Sequence, residues 1–233
     1  MQVTTNGGLL PIGGRTYVSV EEISNIEEEG VKLGISKLLM MENAGNAVAG
    51  LVSDLNDGGR ARVCLLAGTG NNGGDIFVAA RHLSFWADRF KITLFLIGTE
   101  FDIHSREARR NWRILENIPE VRRIRIESLD DILMIKNSLK NCDIAVIGLF
   151  GTGFKGVPRD LALNVIQVIN GFKGPTKISV DLPSGMEADS GEYRDAIRSD
   201  FTITMHAPKK GFLLDSAKQI CGKVLIANIG LPK

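Results

Sequence analysis

The stretch Val63-Cys64-Leu65-Leu66-Ala67-Gly68-Thr69-Gly70-Asn71-Asn72-Gly73-Gly74-Asp75, running on into Ile76-Phe77-Val78-Ala79-Ala80-Arg81-His82-Leu83, decides the fold. Its first five residues are apolar without alternation, which suits a strand buried on both faces. A glycine-rich turn follows, and then apolar residues at helical spacing that predict a helix over about 75–88. Strand, glycine turn and helix in that order form the opening unit of a doubly wound α/β sheet. Further apolar runs of strand length stand at Ile92–Ile97, Ile144–Phe150, Ile178–Val180, Phe201–Met205 and Val224–Ile226, with a weaker one at Val121–Ile126. Helical patterns at about 104–117, 129–140 and 158–170 separate most of them. The expected fold class is α/β, a doubly wound, mostly parallel sheet of six or seven strands with two leading helices.

The first leading helix opens at Ser19, which has capping-box spacing to Glu22, and is expected to end at Gly30. The second is expected from Ile35 to about Asn56, stopped by Asp57-Gly58-Gly59. Residues 1–16, rich in Gly and Thr, are expected to be loosely held, and 17–233 to form a single domain.

Composition narrows the function classes. The 233 residues carry 28 basic and 27 acidic side chains, a formal charge of +1, which argues against bulk nucleic-acid binding. An apolar share of 44% excludes wholesale disorder. Cys64, Cys142 and Cys221 lie far apart without a CxxC, which favours buried small hydrophobes over a disulfide or zinc site. His82, His104 and His206 lack ligand spacing. No basic leader precedes a long apolar stretch, and no apolar run approaches the roughly 18 residues of a membrane span. A soluble, cytoplasmic protein is expected.

The 26 glycines are the anomaly, because many fall directly after strands. Gly68-Thr69-Gly70-Asn71-Asn72-Gly73 and Gly151-Thr152-Gly153-Phe154-Lys155-Gly156 both satisfy G-x-G-x-x-G at a strand end. Glycine admits a close backbone approach to phosphate, and a following helix supplies unpaired N–H groups. Tight turns without a ligand are the competing reading. A third strand end, Asp181-Leu182-Pro183-Ser184-Gly185, adds an acid that would be costly to bury unpaired and that can face a crevice instead. Asp75 reads either as a helix cap or as a catalytic carboxylate, and Lys155 as a phosphate counter-charge or a solvated lysine. Glu100 and Asp102 follow the second strand but lie further from Gly73 than the usual ribose spacing of about 20, which weakens a dehydrogenase reading.

Six ordered motifs give the chain a family likeness. Met40-Met41-Glu42-Asn43-Ala44-Gly45, Ala67–Asp75, Leu149–Gly156, Val180–Met186, Ala207–Gly211 and Ile229–Pro232 together resemble the NAD(P)HX epimerase family, the YjeF amino-terminal domain. The resemblance spans about Val18 to Pro232. It implies a Rossmann-like three-layer α/β/α sandwich, a homodimer, and interconversion of the R and S forms of hydrated NADH and NADPH at C6 of the nicotinamide ring. It further implies a separate dehydratase as partner, this chain being the epimerase module alone. Carried over by motif, Asn71, Asn72, Gly73, Gly74 and Asp75 bind the dinucleotide substrate together with Gly151, Thr152, Gly153, Phe154, Lys155, Gly156 and Val157. Asp181 contacts substrate and is the expected proton donor at C6, with Asp75 as the second carboxylate or its orienting neighbour. Asn72 and Ser184 are the implied potassium ligands. The family's third ligand, an aspartate two residues before the Leu-Phe pair, is replaced by Ile147, so the cation is expected to bind weakly, differently or not at all.

Two other classes are open to the sequence. A catalytically weakened domain of this type would serve as a nucleotide-binding or dimerisation scaffold, and NADPH binding without turnover would mark it. A nicotinamide-dependent oxidoreductase is the other, but no Tyr-Lys or His dyad stands ready to donate a proton.

Overall fold

The computed structural model describes residues 9–232. Residues 10–11 form β1 (Leu10–Pro11), followed by α1 (Val20–Lys32) and α2 (Lys37–Leu55). The doubly wound part then runs β2 (Ala61–Ala67), α3 (Asn71–Ser84), β3 (Phe90–Ile97), α4 (Arg106–Ile114), β4 (Val121–Ile126), α5 (Ile132–Leu139) and β5 (Ile144–Gly148). It closes with α6 (Asp160–Gly171), β6 (Thr176–Val180), β7 (Phe201–Met205), α7 (Asp215–Cys221) and β8 (Lys223–Ala227).

The strands form one eight-stranded sheet in the order β1-β8-β7-β6-β5-β2-β3-β4. All pairings are parallel except the short β1, which adds antiparallel to β8 through Leu10 opposite Ile226. That edge strand, with Leu9 buried beside it, ties down part of the segment expected to be loose; residues 1–8 lie outside the described residues. It also raises the strand number beyond the six or seven legible as apolar runs, because a two-residue strand has no periodicity to read.

Successive strand residues serve opposite layers. Val63 and Leu65 of β2 and Ile144 and Val146 of β5 pack with α2, α3 and α4. Cys64, Leu66, Ala145 and Ile147 pack with α5 and α6. Both faces are therefore dry, which is why these strands read as unbroken apolar runs. Cys64, Cys142 and Cys221 are all buried free thiols.

Two helix boundaries differ from expectation. Ser19 caps α1 with the reciprocal Glu22 contact, but the helix runs through Gly30 to Lys32. Gly30 is a packing residue, since a Cβ there would strike the side chains of Leu231 and Met40. Helix α3 starts at Asn71, not at Asp75, with Gly70 as its cap. The Asn-Asn-Gly-Gly-Asp run is thus the first turn and a half of a helix. Among the described residues no helix is long and apolar enough to cross a membrane.

Sheet order places the site. From β2 the chain proceeds to β3 and β4 on one side, and from β5 to β6, β7 and β8 on the other. The two glycine turns follow β2 and β5, adjacent strands at this reversal, where the connecting loops diverge and leave a crevice at the carboxyl ends.

Candidate active site

A cavity of about 720 Å³ occupies that crevice, within the size range of small-molecule sites. Its walls come from Gly68–Asn72 and Asp75 on one side, Leu149–Lys155 on the other, and Asp181 at the end of β6. All three strand ends singled out by their sequences therefore meet. Not every residue expected there lines it. Gly73 and Gly74 are buried under other elements: a Cβ on Gly73 would land on the carbonyl oxygen of Gly68, and one on Gly74 on the Met41 side chain. Gly156 and Val157 lie exposed past the end of the cavity wall, with the Gly156 N–H donating to Glu187 Oε1 at 2.7 Å.

Glycine does two jobs here. Gly68, Gly73 and Gly148 let β2, β5 and the start of α3 approach each other, because a side chain on any of them would meet backbone atoms of a neighbouring element. Gly70 and Gly153 face open space and leave the cavity walls bare of side chains. The second loop is braced by the Phe150 and Phe154 rings, stacked at 4.7 Å, and by a turn from Phe154 N–H to Gly151 O at 3.1 Å. Lys155 extends from it along the cavity edge and is exposed.

Asp181 takes a left-handed backbone, φ 63°, uncommon for a side-chain-bearing residue and typical of strained functional turns. Its N–H donates to Ile203 O at 2.7 Å, so the chain leaves the sheet here while the carboxyl stays at the cavity floor. Lys209, only 1% exposed, donates to Asp181 Oδ1 at 2.6 Å, to Thr204 Oγ1 at 3.1 Å and to the Met205 carbonyl at 3.0 Å. The buried ammonium is thereby fully used, and it fixes the carboxylate of Asp181 in place. Burial and the same ammonium push the His206 imidazole below its ordinary value.

Asp75, one and a half turns into α3, makes no direct ion pair, and the nearby Lys209 ammonium only partly offsets what raises it. Burial first, then the Asp181 and Glu27 carboxylates facing it, push its carboxyl well above the ordinary aspartate value. Glu27 of α1 is raised too, by burial and by Asp181. The capping reading of Asp75 gives way, since Gly70 occupies the cap. Lys209 and Glu27 carry no signal in periodicity. Lys209 sits in the Ala207-Pro208-Lys209-Lys210-Gly211 motif just beyond a buried strand, the one sequence hint of its position.

The donors implied for a potassium ion take hydrogen bonds within the protein here. Asn72 Nδ2 donates to the carbonyls of Phe150 at 2.7 Å and Val180 at 2.9 Å, so an amide N–H already holds both oxygens. Ser184 Oγ accepts the N–H groups of Leu149 and Phe150, each at 3.1 Å. Ile147 points into the apolar layer with Leu66, Val165 and Ile166. Among the described residues Asn72 Oδ1 is a buried acceptor without a partner, next to the Phe150 and Val180 carbonyls, so this set offers neutral oxygens and no carboxylate.

Residues 37–211 match the family model described as YjeF-related protein N-terminus. The chain belongs to that family. The matched YjeF segment holds both glycine turns, Asp75, Asp181 and Lys209, while Glu27 on α1 precedes it. The NAD(P)H-hydrate epimerase of Cenarchaeum symbiosum is 39% identical over 216 residues, 92% of this chain and 95% of that protein. That of Nitrosopumilus maritimus is 34% identical, covering 92% and 95%. The bifunctional NAD(P)H-hydrate repair enzyme Nnr of Archaeoglobus fulgidus is 33% identical over 93% of this chain but only 42% of its own length. In fold, the YjeF chain matches a crystal structure of yeast ynu0, YNL200c, with TM-score 0.71 and 24% identity over 84% of this chain and 82% of that one.

Proposed function

We propose that this chain is an isomerase that epimerises hydrated NADH and NADPH at C6 of the nicotinamide ring, a cofactor-repair step. Its relatives of matching length are named NAD(P)H-hydrate epimerase. The observation that carries the mechanism is a pair of carboxylates sharing one crevice in opposite environments. Such pairs divide acid and base roles between them.

The assignment reverses the order expected from sequence. Asp75, half-buried among acids, holds its proton more tightly than an ordinary aspartate and delivers it to the C6 oxygen. The C6–O bond breaks with its electron pair staying on oxygen, water departs, and the ring nitrogen lone pair forms the iminium. Asp181, paired with Lys209, stabilises that cation electrostatically. Water then adds to the opposite face of C6, and its surplus proton returns to the Asp75 carboxylate. Atoms and charge balance, with no net redox change. No step uses a potassium ion. The open first-turn N–H groups of α3, the bare glycine walls and Lys155 suit the pyrophosphate.

An assay of epimer exchange by NMR or chromatography, measured against the spontaneous rate, tests this reading. Asp181→Asn and Asp75→Asn are each expected to lower exchange by about 100-fold or more. Full exchange by a folded Asp181→Asn protein would overturn it. A homodimer in the cytoplasm, working beside a separate dehydratase, belongs to the same reading. The dehydratase is supported by relatives named as bifunctional repair enzymes, of which this chain matches 42% and 39%. Sedimentation and co-expression with a dehydratase check those two points.

A further inference from the structure

Helix α4 carries Arg106, Arg109, Arg110 and Arg113, a spacing that sets four guanidinium groups on one exposed stripe while Ala108, Asn111 and Trp112 fill the other side. Like charges three and four residues apart repel, so the stripe works against the helix that bears it. Among the described residues none of these arginines has a carboxylate partner, and Arg109 alone makes a hydrogen bond, to the Ile103 carbonyl at 2.7 Å.

The stripe lines a groove of about 590 Å³, which shares His104 with the crevice described above. His104 is anchored by its N–H to Thr69 O at 3.1 Å, at the rim of the first glycine turn. The groove therefore adjoins the crevice at His104, beyond the carboxyl end of β3. In doubly wound sheets that end of the second strand lies beside the adenosine ribose of a dinucleotide. There an acid recognises a free 2′-hydroxyl, and arginine accommodates a 2′-phosphate. The two acids of this turn are already engaged. Both Glu100 oxygens accept from Arg125 at 3.0 Å, and Asp102 Oδ2 accepts from the Thr99 N–H and hydroxyl at 3.0 and 2.8 Å.

We propose that the arginine groove of α4 takes the 2′-phosphate of the adenosine ribose, making the phosphorylated hydrate, NADPHX, the preferred substrate. The inference rests on the epimerase reading and adds to it which of the two hydrates the crevice favours. Planar guanidinium groups bind phosphate through paired N–H donors, and four of them around one concavity exceed what a solvated helix face needs.

The test compares kcat/KM for NADPHX and NADHX in the parent and in the Arg110→Gln/Arg113→Gln double variant. The parent is expected to prefer NADPHX, and the double variant to lower the NADPHX-to-NADHX ratio about tenfold, mainly through KM. Its melting temperature is expected to be no lower, because like-charge neighbours are removed. A ratio unchanged within about twofold overturns the proposal. Equal loss on both substrates also overturns it, and assigns the arginines to the shared pyrophosphate. If the parent epimerises neither hydrate, the epimerase reading fails instead, and calorimetry with NADP+ and NAD+ decides the groove. Tighter NADP+ binding that the double variant abolishes supports it; equal affinities overturn it.

Discussion

Replacing Lys209 with methionine keeps an unbranched, flexible side chain one atom shorter and removes its charge. In the native protein the ammonium is 1% exposed and satisfies three acceptors, among them Asp181 Oδ1 at 2.6 Å. Removing one partner of a buried ion pair costs about 3–5 kcal/mol, chiefly because the remaining charge is left unpaired. The Asp181 side chain is 12% exposed through the crevice, and water there can partly solvate it, which favours the lower figure of about 3 kcal/mol. For a domain of this size that amounts to a fall in Tm of roughly 6–12 °C. Denaturant unfolding of four proteins tests the origin of the loss: parent, Lys209→Met, Asp181→Asn and the double variant. With neither charge present, the double variant is expected to be more stable than the sum of the single losses by at least about 1.5 kcal/mol. Additive losses, or a Lys209→Met cost below about 1 kcal/mol, would refute the claim that this pair holds the floor of the crevice.

Three further outcomes are expected. Gly73→Ala, whose new methyl would meet the Gly68 carbonyl, should cost about 2 kcal/mol or more in denaturant unfolding, whereas Gly153→Ala, in open space, should stay within about 0.5 kcal/mol. Asp75 has a raised pKa in the folded state, so its favourable contribution is complete below the ordinary value of 3.8 and is lost as pH rises through the raised value. Asp75→Asn should therefore gain stability relative to the parent between acid and neutral pH and converge with it at the acid end, as thermal melts across pH will report. Exchanging potassium for sodium at constant ionic strength should move Tm by less than about 1 °C, since a cation that binds only the native state would raise it.

Much of the scaffold could be read in advance because its physics is local. A strand buried on both faces must be apolar along its buried length, as Val63–Ala67 of β2, Leu94–Ile97 of β3 and Ile144–Gly148 of β5 are. Sheet order is a long-range property, and nothing in the chain announces that β2 lies between β3 and β5. The crevice itself was nevertheless legible, because glycine turns after two strands mark carboxyl-edge loops whatever the order. What those glycines do was not. G-x-G-x-x-G is satisfied equally by glycines that admit a ligand, such as Gly70 and Gly153, and by glycines that admit a neighbouring strand or helix, such as Gly68 and Gly73. Met40–Gly45 shows the same ambiguity: Gly45 sits against Val78 and the backbone of Asp75, so this motif packs α2 onto α3.

The proposed order of the two carboxylates was not legible for a related reason. A side chain's protonation depends on what tertiary contacts bring against it, and both decisive neighbours come from afar. Lys209 reaches Asp181 across the β7 strand end, and Glu27 arrives from α1, ahead of the sheet. Asp181 at a strand end looks like the exposed, mobile acid and Asp75 in a helix like the structural one. In the folded chain Asp181 is clamped by an ammonium, whereas burial and the Asp181 and Glu27 carboxylates outweigh that ammonium at Asp75. The same reasoning extends to Ile147. Ile147 packs with Leu66, Val165 and Ile166, where a carboxylate without a counter-charge would be an unpaired charge inside an apolar layer.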